Sequence, residues 1–148
     1  MPARPSSQGP TRKVARTMVT RLILLDTNVV IDLLEGNPRG QEAQTFFESL
    51  GEDALISYSL MTRFELLAVP DIARNQSARQ FLEHLTPLEL SMNVMDRAAD
   101  ILVVSHGRKR RKIPDALIAA TAIEYDAELL THDERDFKKI PGLNLVHQ

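Results

Sequence analysis

Residues 21–35 read RLILLDTNVVIDLLE. The first six residues form a short run rich in Leu and Ile, which is typical of a strand buried in a parallel sheet. From residue 28 to residue 35 the pattern predicts a helix, which ends at the Gly-Asn-Pro sequence of residues 36–38. A buried strand that passes directly into a helix is the first half of a parallel β–α unit, with Asp26 at the junction.

The alternation of strands and helices continues to the end of the chain. The pattern predicts further strands at residues 54–58, 87–90, 128–131 and 143–146. It predicts further helices at residues 41–50, 59–69, 72–85, 94–104, 115–125 and 134–139. This order favours an α/β fold of three layers, α/β/α, around a central, mostly parallel sheet of four to five strands.

The length and composition exclude several classes of protein. A chain of 148 residues fits one domain, and 43% hydrophobic with 26% charged residues excludes a disordered acidic tail or a coiled-coil rod. Cysteine is absent, which excludes a disulfide scaffold, a thiolate zinc site and a cysteine nucleophile. No apolar run approaches the length of a membrane span. We therefore expect a cytoplasmic protein that makes no membrane contact.

Residues 1–20 differ from the rest of the chain. They are rich in Pro, Ser, Gly and Arg and have no apolar period, which predicts a disordered basic leader before a globular domain at residues 21–148. A transit peptide is an alternative. A third interpretation, which we favour, is that translation starts at Met18. Because the leader is basic and the whole chain has a net charge of −2, the globular part is net acidic. Nucleic-acid binding would therefore need metal ions and a local basic patch.

Four acidic residues occupy positions that this fold brings to one edge of the sheet. Asp26 ends the first strand, and Asp133 follows the fourth strand. Asp115 opens a crossover helix, whose N-terminus lies at the same edge, and Glu65 lies in the second turn of its helix. Ligands of open α/β sheets bind outside the carboxyl ends of the strands. We therefore expect the four carboxylates to converge there.

Each of these residues also has a purely structural interpretation. Asp26 and Asp133 are candidate N-caps, Thr62 with Glu65 matches a capping box, and Asp115 suits the positive end of its helix. Each such role contributes about 1 kcal/mol and requires no chemistry. The shared edge favours a common site over four separate caps.

Four carboxylates in one pocket repel one another unless a cation lies among them. A set of oxygen ligands selects a hard cation such as Mg²⁺ or Mn²⁺. The histidines show no ligand spacing, and His132, next to Asp133, is interpreted as an exposed loop residue. Walker, dinucleotide-binding and nucleophile-elbow motifs are absent. The remaining chemistry is metal-assisted attack of water on a phosphate.

Four segments together resemble the PIN domain, and more narrowly the VapC-type toxins of type II bacterial toxin–antitoxin modules. They are LLDTNVVIDLL (24–34), Glu65 followed by two leucines, IPDALIAATA (113–122) and LLTHDERDF (129–137). The resemblance extends from about Leu22 to Val146, nearly all of the globular part.

The resemblance implies a PIN-like endoribonuclease that depends on Mg²⁺, for which Mn²⁺ can substitute. It implies an RNA substrate, a cognate antitoxin protein that inhibits the enzyme, and a homodimer. The implied catalytic and metal-binding residues are Asp26, Glu65, Asp115 and Asp133. The implied supporting residues are Asn28, Thr131 and Asp136. Asp32, on the same helix face as Asn28, is interpreted as a surface or supporting residue.

A basic run, RKRRK, occupies residues 108–112 directly before Asp115. Its default interpretation is an exposed, solvated loop. Its position makes phosphate contact by Arg110, Arg111 and Lys112 the second interpretation. Aromatic residues make up only 5% of the chain, so base recognition cannot be located from the sequence.

Other functions remain open beside the toxin. One is a PIN-like module that binds RNA or protein without catalysis, and the intact acidic set argues against it. Another is a housekeeping RNA-processing nuclease with no antitoxin. A phosphatase of the haloacid dehalogenase type is rejected, because Asn28 stands where a second Asp is required. A receiver domain needs a late-strand Lys that we cannot place.

Overall fold

Strands and helices alternate in the structure, a computed structural model that describes residues 21–105 and 111–147. The strands are β1 (Arg21–Leu25), β2 (Ala54–Ser59), β3 (Thr86–Leu88), β4 (Glu128–Leu130) and β5 (Asn144–Leu145). The helices are α1 (Thr27–Glu35), α2 (Pro38–Leu50), α3 (Leu60–Leu67), α4 (Ile72–Leu82), α5 (Met92–Val104), α6 (Ile113–Glu124) and α7 (Glu134–Phe137). The predicted leader at residues 1–20 lies outside the described residues.

The five strands form one sheet in the order β3-β2-β1-β4-β5, and every neighbouring pair is parallel. The predicted parallel sheet is therefore confirmed. Strand β1 is central, and its register places Leu25 beside Tyr58 of β2 and Leu130 of β4. Because all strands run the same way, their carboxyl ends share one edge, and the segments that follow β1, β2 and β4 start from it.

Alternate residues of β1 divide the core between the two faces of the sheet. Ile23 and Leu25 pack in a cluster with residues of α1 to α4, whereas Leu24 packs with α6 and with Phe137 of α7. All three β1 side chains are fully buried. Helix α5 covers α6 from outside. These contacts confirm the predicted layering, with helices on both faces.

Helices α1 and α2 meet at a corner that requires glycine at two positions. Gly36 ends α1 in the left-handed conformation, with φ of 65°. At Gly40 a Cβ atom would lie 2.1 Å from the backbone oxygen of Asp32, so the two backbones touch there. Helix α2 begins at Pro38, earlier than the pattern predicts, because the Asn37 side chain caps it by accepting a hydrogen bond from the Gly40 N–H.

Helix α6 is buried along seven consecutive residues, 116–122, most of them alanine. Small side chains let it lie close to both the sheet and α5. Its first turn, which carries Asp115, is held at the carboxyl edge of the sheet. No helix among the described residues is both long enough and apolar enough to cross a membrane.

Candidate active site

A cavity of about 320 Å³ opens at the carboxyl edge of the sheet. The four predicted carboxylates, Asp26, Glu65, Asp115 and Asp133, all line it. In the described part of the chain, no three Asp, Glu, His or Cys side chains are already arranged to hold a metal ion. The fold thus brings the four carboxylates to one cavity.

Asp26 lies at the bottom of the cavity and is only 4% exposed. Its Oδ1 accepts a hydrogen bond from the backbone N–H of Thr27 at 2.8 Å, and its Oδ2 accepts one from the Thr131 hydroxyl at 2.8 Å. Burial raises the pKa of Asp26, the two hydrogen bonds lower it in part, and the charges of Glu65 and Asp133 raise it further. The carboxylate both caps α1 and faces the cavity, so its structural and functional interpretations are compatible.

Glu65 is held by a pair of hydroxyl groups. Its Oε1 accepts a hydrogen bond from the Thr27 hydroxyl at 2.7 Å, and that hydroxyl lies 2.9 Å from the hydroxyl of Thr62. Because Thr27 has one hydroxyl proton and gives it to Glu65, Thr62 must donate to Thr27. Thr62 is fully buried. This Thr62–Thr27–Glu65 chain fixes the carboxylate towards the cavity.

The capping-box interpretation of Thr62 and Glu65 is wrong. Helix α3 is capped by Ser59, whose hydroxyl oxygen accepts a hydrogen bond from the Met61 N–H. Thr62 therefore lies inside the helix and points into the core. Thr27 and Thr62 are positioning residues that the sequence pattern did not indicate. The two residues are 35 positions apart, and a local pattern does not show a contact over that distance.

Asp115 lies in the first turn of α6 and is half-buried. Burial is the main cause that raises its pKa, followed by the negative charges of Asp26 and Asp136, while Lys112 opposes the rise. The carboxyl groups of Asp26 and Asp115 therefore both hold protons more tightly than an isolated carboxyl group does. Burial is the main cause for both Asp26 and Asp115, and the repulsion between neighbouring acids adds to it.

Asp133 and the supporting residues lie around Asp26 and Asp115. The backbone N–H of Asp133 donates to the Thr131 hydroxyl at 2.9 Å, and the same hydroxyl donates to Asp26, so Thr131 connects both acids. Asp133 is exposed and occupies the N-cap position of α7, as predicted, but its side chain makes no capping hydrogen bond to that helix. Asn28 and Asp136 line the cavity as well.

The two described residues of the basic run, Arg111 and Lys112, make different contacts. Lys112 is exposed and lines the cavity. Arg111, expected to be exposed, is half-buried and donates a hydrogen bond to the backbone carbonyl of Asp136, so it tethers the loop to α7. Arg110 lies outside the described residues. Arg74 of α4, which the pattern did not indicate, is a further cation at the cavity and lies 3.8 Å from the carboxylate of Glu35.

The prediction that His132 is an exposed loop residue is wrong. Its side chain is only 11% exposed, and its Nδ1 lies 2.6 Å from Oδ2 of Asp32. The other carboxylate oxygen of Asp32 accepts a hydrogen bond from the Asn37 side chain at 2.8 Å. Asp32 therefore supports the loop between β4 and α7, because it anchors the residue before Asp133.

The raised pKa values of Asp26 and Asp115 predict how the stability of the metal-free protein depends on pH. Both groups bind protons more tightly in the folded protein than in the unfolded chain. Their protonation therefore stabilises the fold fully below their ordinary pKa of 3.8. This stabilisation is lost as the pH rises through their raised pKa values. The comparison is with the double variant Asp26→Asn, Asp115→Asn. The free energy of unfolding of the wild-type protein, relative to that of the variant, should therefore be lower at pH 7 than at pH 4. Urea unfolding with a chelator at both pH values measures this difference. An equal difference at the two pH values would contradict it.

The donor set fits a hard divalent cation. All four carboxylates offer oxygen, the ligand that Mg²⁺ and Mn²⁺ prefer, and the cavity of the described residues contains no imidazole or thiolate. Each oxygen of Asp26 accepts one hydrogen bond and retains a lone pair for a further partner. A cation would relieve the repulsion between the carboxylates, which adds to the effect of burial on both pKa values.

Comparisons of this chain with known protein families, sequences and structures agree with one another. The family model of the PIN domain matches residues 23–143. Ribonuclease VapC19 of Mycobacterium tuberculosis is 32% identical over 122 residues, which cover 81% of this chain and 95% of that protein. The structure of VapBC2 from Rickettsia felis, bound to a DNA fragment from their promoter, has a TM-score of 0.73 at 25% identity and covers 86% of this chain and 98% of that chain. A toxin–antitoxin complex from Klebsiella pneumoniae has a TM-score of 0.64 at 30% identity, covering 82% and 94%.

Proposed function

The chain belongs to the PIN domain family, and from this membership we propose that it is a metal-dependent endoribonuclease and the toxin of a toxin–antitoxin pair. The name of its relative, Ribonuclease VapC19, supports the activity. The VapBC2 structure and the Klebsiella complex support an antitoxin partner. The observation that carries the proposal is the convergence of four carboxylates, from four separate segments, on one cavity.

We assign Asp26, Glu65, Asp115 and Asp133 as the residues that hold Mg²⁺, with Mn²⁺ as a substitute. When bound, the cation lowers the pKa of water and stabilises charge on the phosphate and the leaving oxygen. The chain contributes the geometry: Thr131 orients Asp26, and the hydroxyl chain of Thr62 and Thr27 orients Glu65. Asn28 and Asp136, at the cavity wall, are supporting residues.

The physiological setting follows from the same proposal. We propose that the protein acts on RNA in the cytoplasm and that the cognate antitoxin covers the cavity. We also propose a homodimer. Co-expression with the product of the neighbouring reading frame distinguishes a toxin from a housekeeping nuclease, because only a toxin should form a stable, inactive complex with that product.

Hydrolysis of mixed single-stranded RNA by the purified protein tests the activity. Cleavage is expected in Mg²⁺ or Mn²⁺ and should stop when EDTA is added, because the carboxylates alone supply no activated water. The 5′ and 3′ ends of the products should show internal cuts. Binding of RNA without any cleavage would favour the alternative, a PIN-like module without catalysis.

Lys112 and Arg111 should affect RNA binding and stability differently. Lys112→Ala should weaken RNA binding at low salt and reduce the salt dependence of binding by about one unit, because one phosphate contact is lost. Arg111→Ala should instead destabilise the fold by about 1–2 kcal/mol, because its hydrogen bond to the Asp136 carbonyl is lost. Lys139→Ala, an exposed lysine outside the cavity, is the control. An unchanged salt slope for Lys112→Ala would show that this side chain does not meet the phosphate backbone.

A further inference from the structure

A second groove lies beside the candidate active site. It has a volume of about 370 Å³ and is lined by Asn28, Ile31, Asp32, Arg39, His132 and Asp133. Three of these residues, Asn28, Ile31 and Asp133, also line the active-site cavity, so the two form one continuous surface. We propose that this groove is a ribose-recognition subsite, in which Nε2 of His132 forms a hydrogen bond with the 2′-hydroxyl of a nucleotide that flanks the scissile phosphate. The inference rests on the proposed ribonuclease function and names the feature of RNA that the site recognises.

The hydrogen bonding of His132 uses one ring nitrogen and leaves the other for a ligand. Nδ1 lies 2.6 Å from a carboxylate oxygen of Asp32. An ionised carboxylate can only accept hydrogen bonds, so Nδ1 must be the donor. The Asn37 side chain donates to the second oxygen of Asp32 and so orients the carboxylate. Nε2 is then the ring nitrogen that remains for a ligand in the groove.

A ring nitrogen at this position matches a hydroxyl group. Among the described residues none makes a hydrogen bond to Nε2 of His132, whose ring lines the groove. The ribose 2′-hydroxyl both donates and accepts hydrogen bonds, so it can pair with Nε2 whether or not that nitrogen carries a proton. This hydroxyl is the group by which proteins distinguish RNA from DNA. The geometry therefore selects a ribonucleotide over a deoxyribonucleotide.

Arg39 supplies the cation that a nucleotide in this groove needs. It lies in the first turn of α2, is exposed, and has no carboxylate within ion-pair distance among the residues that the structure describes. Its guanidinium can form paired hydrogen bonds with a phosphate. Arg39 would thus contribute equally to RNA and DNA binding, because both carry the same phosphate, and His132 would contribute to RNA binding alone.

Binding to three matched oligonucleotides tests this assignment. The probes are a short single-stranded RNA, its 2′-fluoro analogue, which lacks the hydroxyl proton, and DNA of the same sequence. Fluorescence anisotropy measures Kd with Asp26→Asn protein, so that the probes are not cleaved. In this background His132→Asn retains an N–H for Asp32 and lacks Nε2. It should lose about three- to tenfold in affinity for RNA, as expected for one hydrogen bond, and nothing for the other two probes.

Two further variants and a control complete the experiment. His132→Gln, which places an amide oxygen near the former Nε2, should recover part of the preference for RNA. Arg39→Gln should weaken binding of all three probes by the same factor. His84→Asn, at an exposed histidine outside both cavities, should change nothing. Thermal melting of each variant verifies that it is folded.

The outcomes separate this inference from the proposed function. An equal loss of RNA and DNA affinity in His132→Asn would mean that the residue acts only as a structural anchor, and would overturn the subsite. An unchanged ratio of RNA affinity to DNA affinity has the same meaning, and it would overturn the subsite even if the wild-type protein cleaves RNA. Absence of RNA cleavage by the wild-type protein in Mg²⁺ and Mn²⁺ overturns the ribonuclease function itself, independently of the binding ratio.

Discussion

Asp26→Asn should abolish RNA cleavage. The change removes the most deeply buried of the four carboxylates and, with it, the central anionic ligand of the proposed metal site. Because a bound metal stabilises the transition state by several kcal/mol, the rate should fall by at least about 100- to 1000-fold. Single-turnover cleavage of a labelled RNA in Mg²⁺ measures the loss.

The same variant should retain its fold. Asn keeps an oxygen that accepts from the Thr27 N–H, and its amide can donate to the Thr131 hydroxyl. Since one repelling charge is removed, the metal-free variant should be slightly more stable than the wild-type protein. The matched control is Asp100→Asn, at an exposed position on α5, which should cleave normally. Wild-type cleavage by Asp26→Asn would refute the assigned site.

Mg²⁺ should raise the melting temperature of the wild-type protein. A ligand at a hundredfold excess over its Kd stabilises the folded state by about 2.7 kcal/mol. For a domain of this size, that corresponds to a rise in Tm on the order of 10 °C. The effect should be larger at pH 7 than at pH 5, because at low pH the cation must displace protons from Asp26 and Asp115, whose pKa values are raised.

Differential scanning calorimetry with Mg²⁺, Mn²⁺ and EDTA measures this shift. Asp115→Asn should reduce it strongly, since a direct ligand is lost, whereas Asp100→Asn should leave it unchanged. A shift of equal size in the Asp115→Asn variant would mean that the ion binds elsewhere on the protein.

The fold could be predicted because its main signals are local. The apolar run of residues 21–25, the helix stop at residues 36–38 and the alternation of elements each follow from neighbouring residues. Once the strands are parallel, their carboxyl ends must share an edge, so the placement of Asp26, Asp115 and Asp133 follows from topology. The prediction therefore identified which acids line the cavity without knowledge of any distance.

The contacts that orient these acids could not be predicted in the same way. The Thr27–Thr62 hydroxyl pair and the His132–Asp32 pair join segments that are far apart in the sequence. Thr62 matched a capping box by spacing alone, yet Ser59 takes that role because the helix begins one residue after it. Which of two polar residues caps a helix depends on where the strand before it ends. That boundary is set by pairing with other strands.

The central position of β1 has a consequence for synthesis on the ribosome. Asp26 leaves the ribosome early, whereas its partner Thr131 lies 105 positions later. The β4 strand that flanks β1, and the loop that carries Asp133, emerge only after this intervening stretch has been translated. Since domains fold as units during translation, the nascent chain has no assembled cavity before that point. A cell that makes this protein is therefore exposed to a complete site only after the segment that carries Thr131 and Asp133 has left the ribosome.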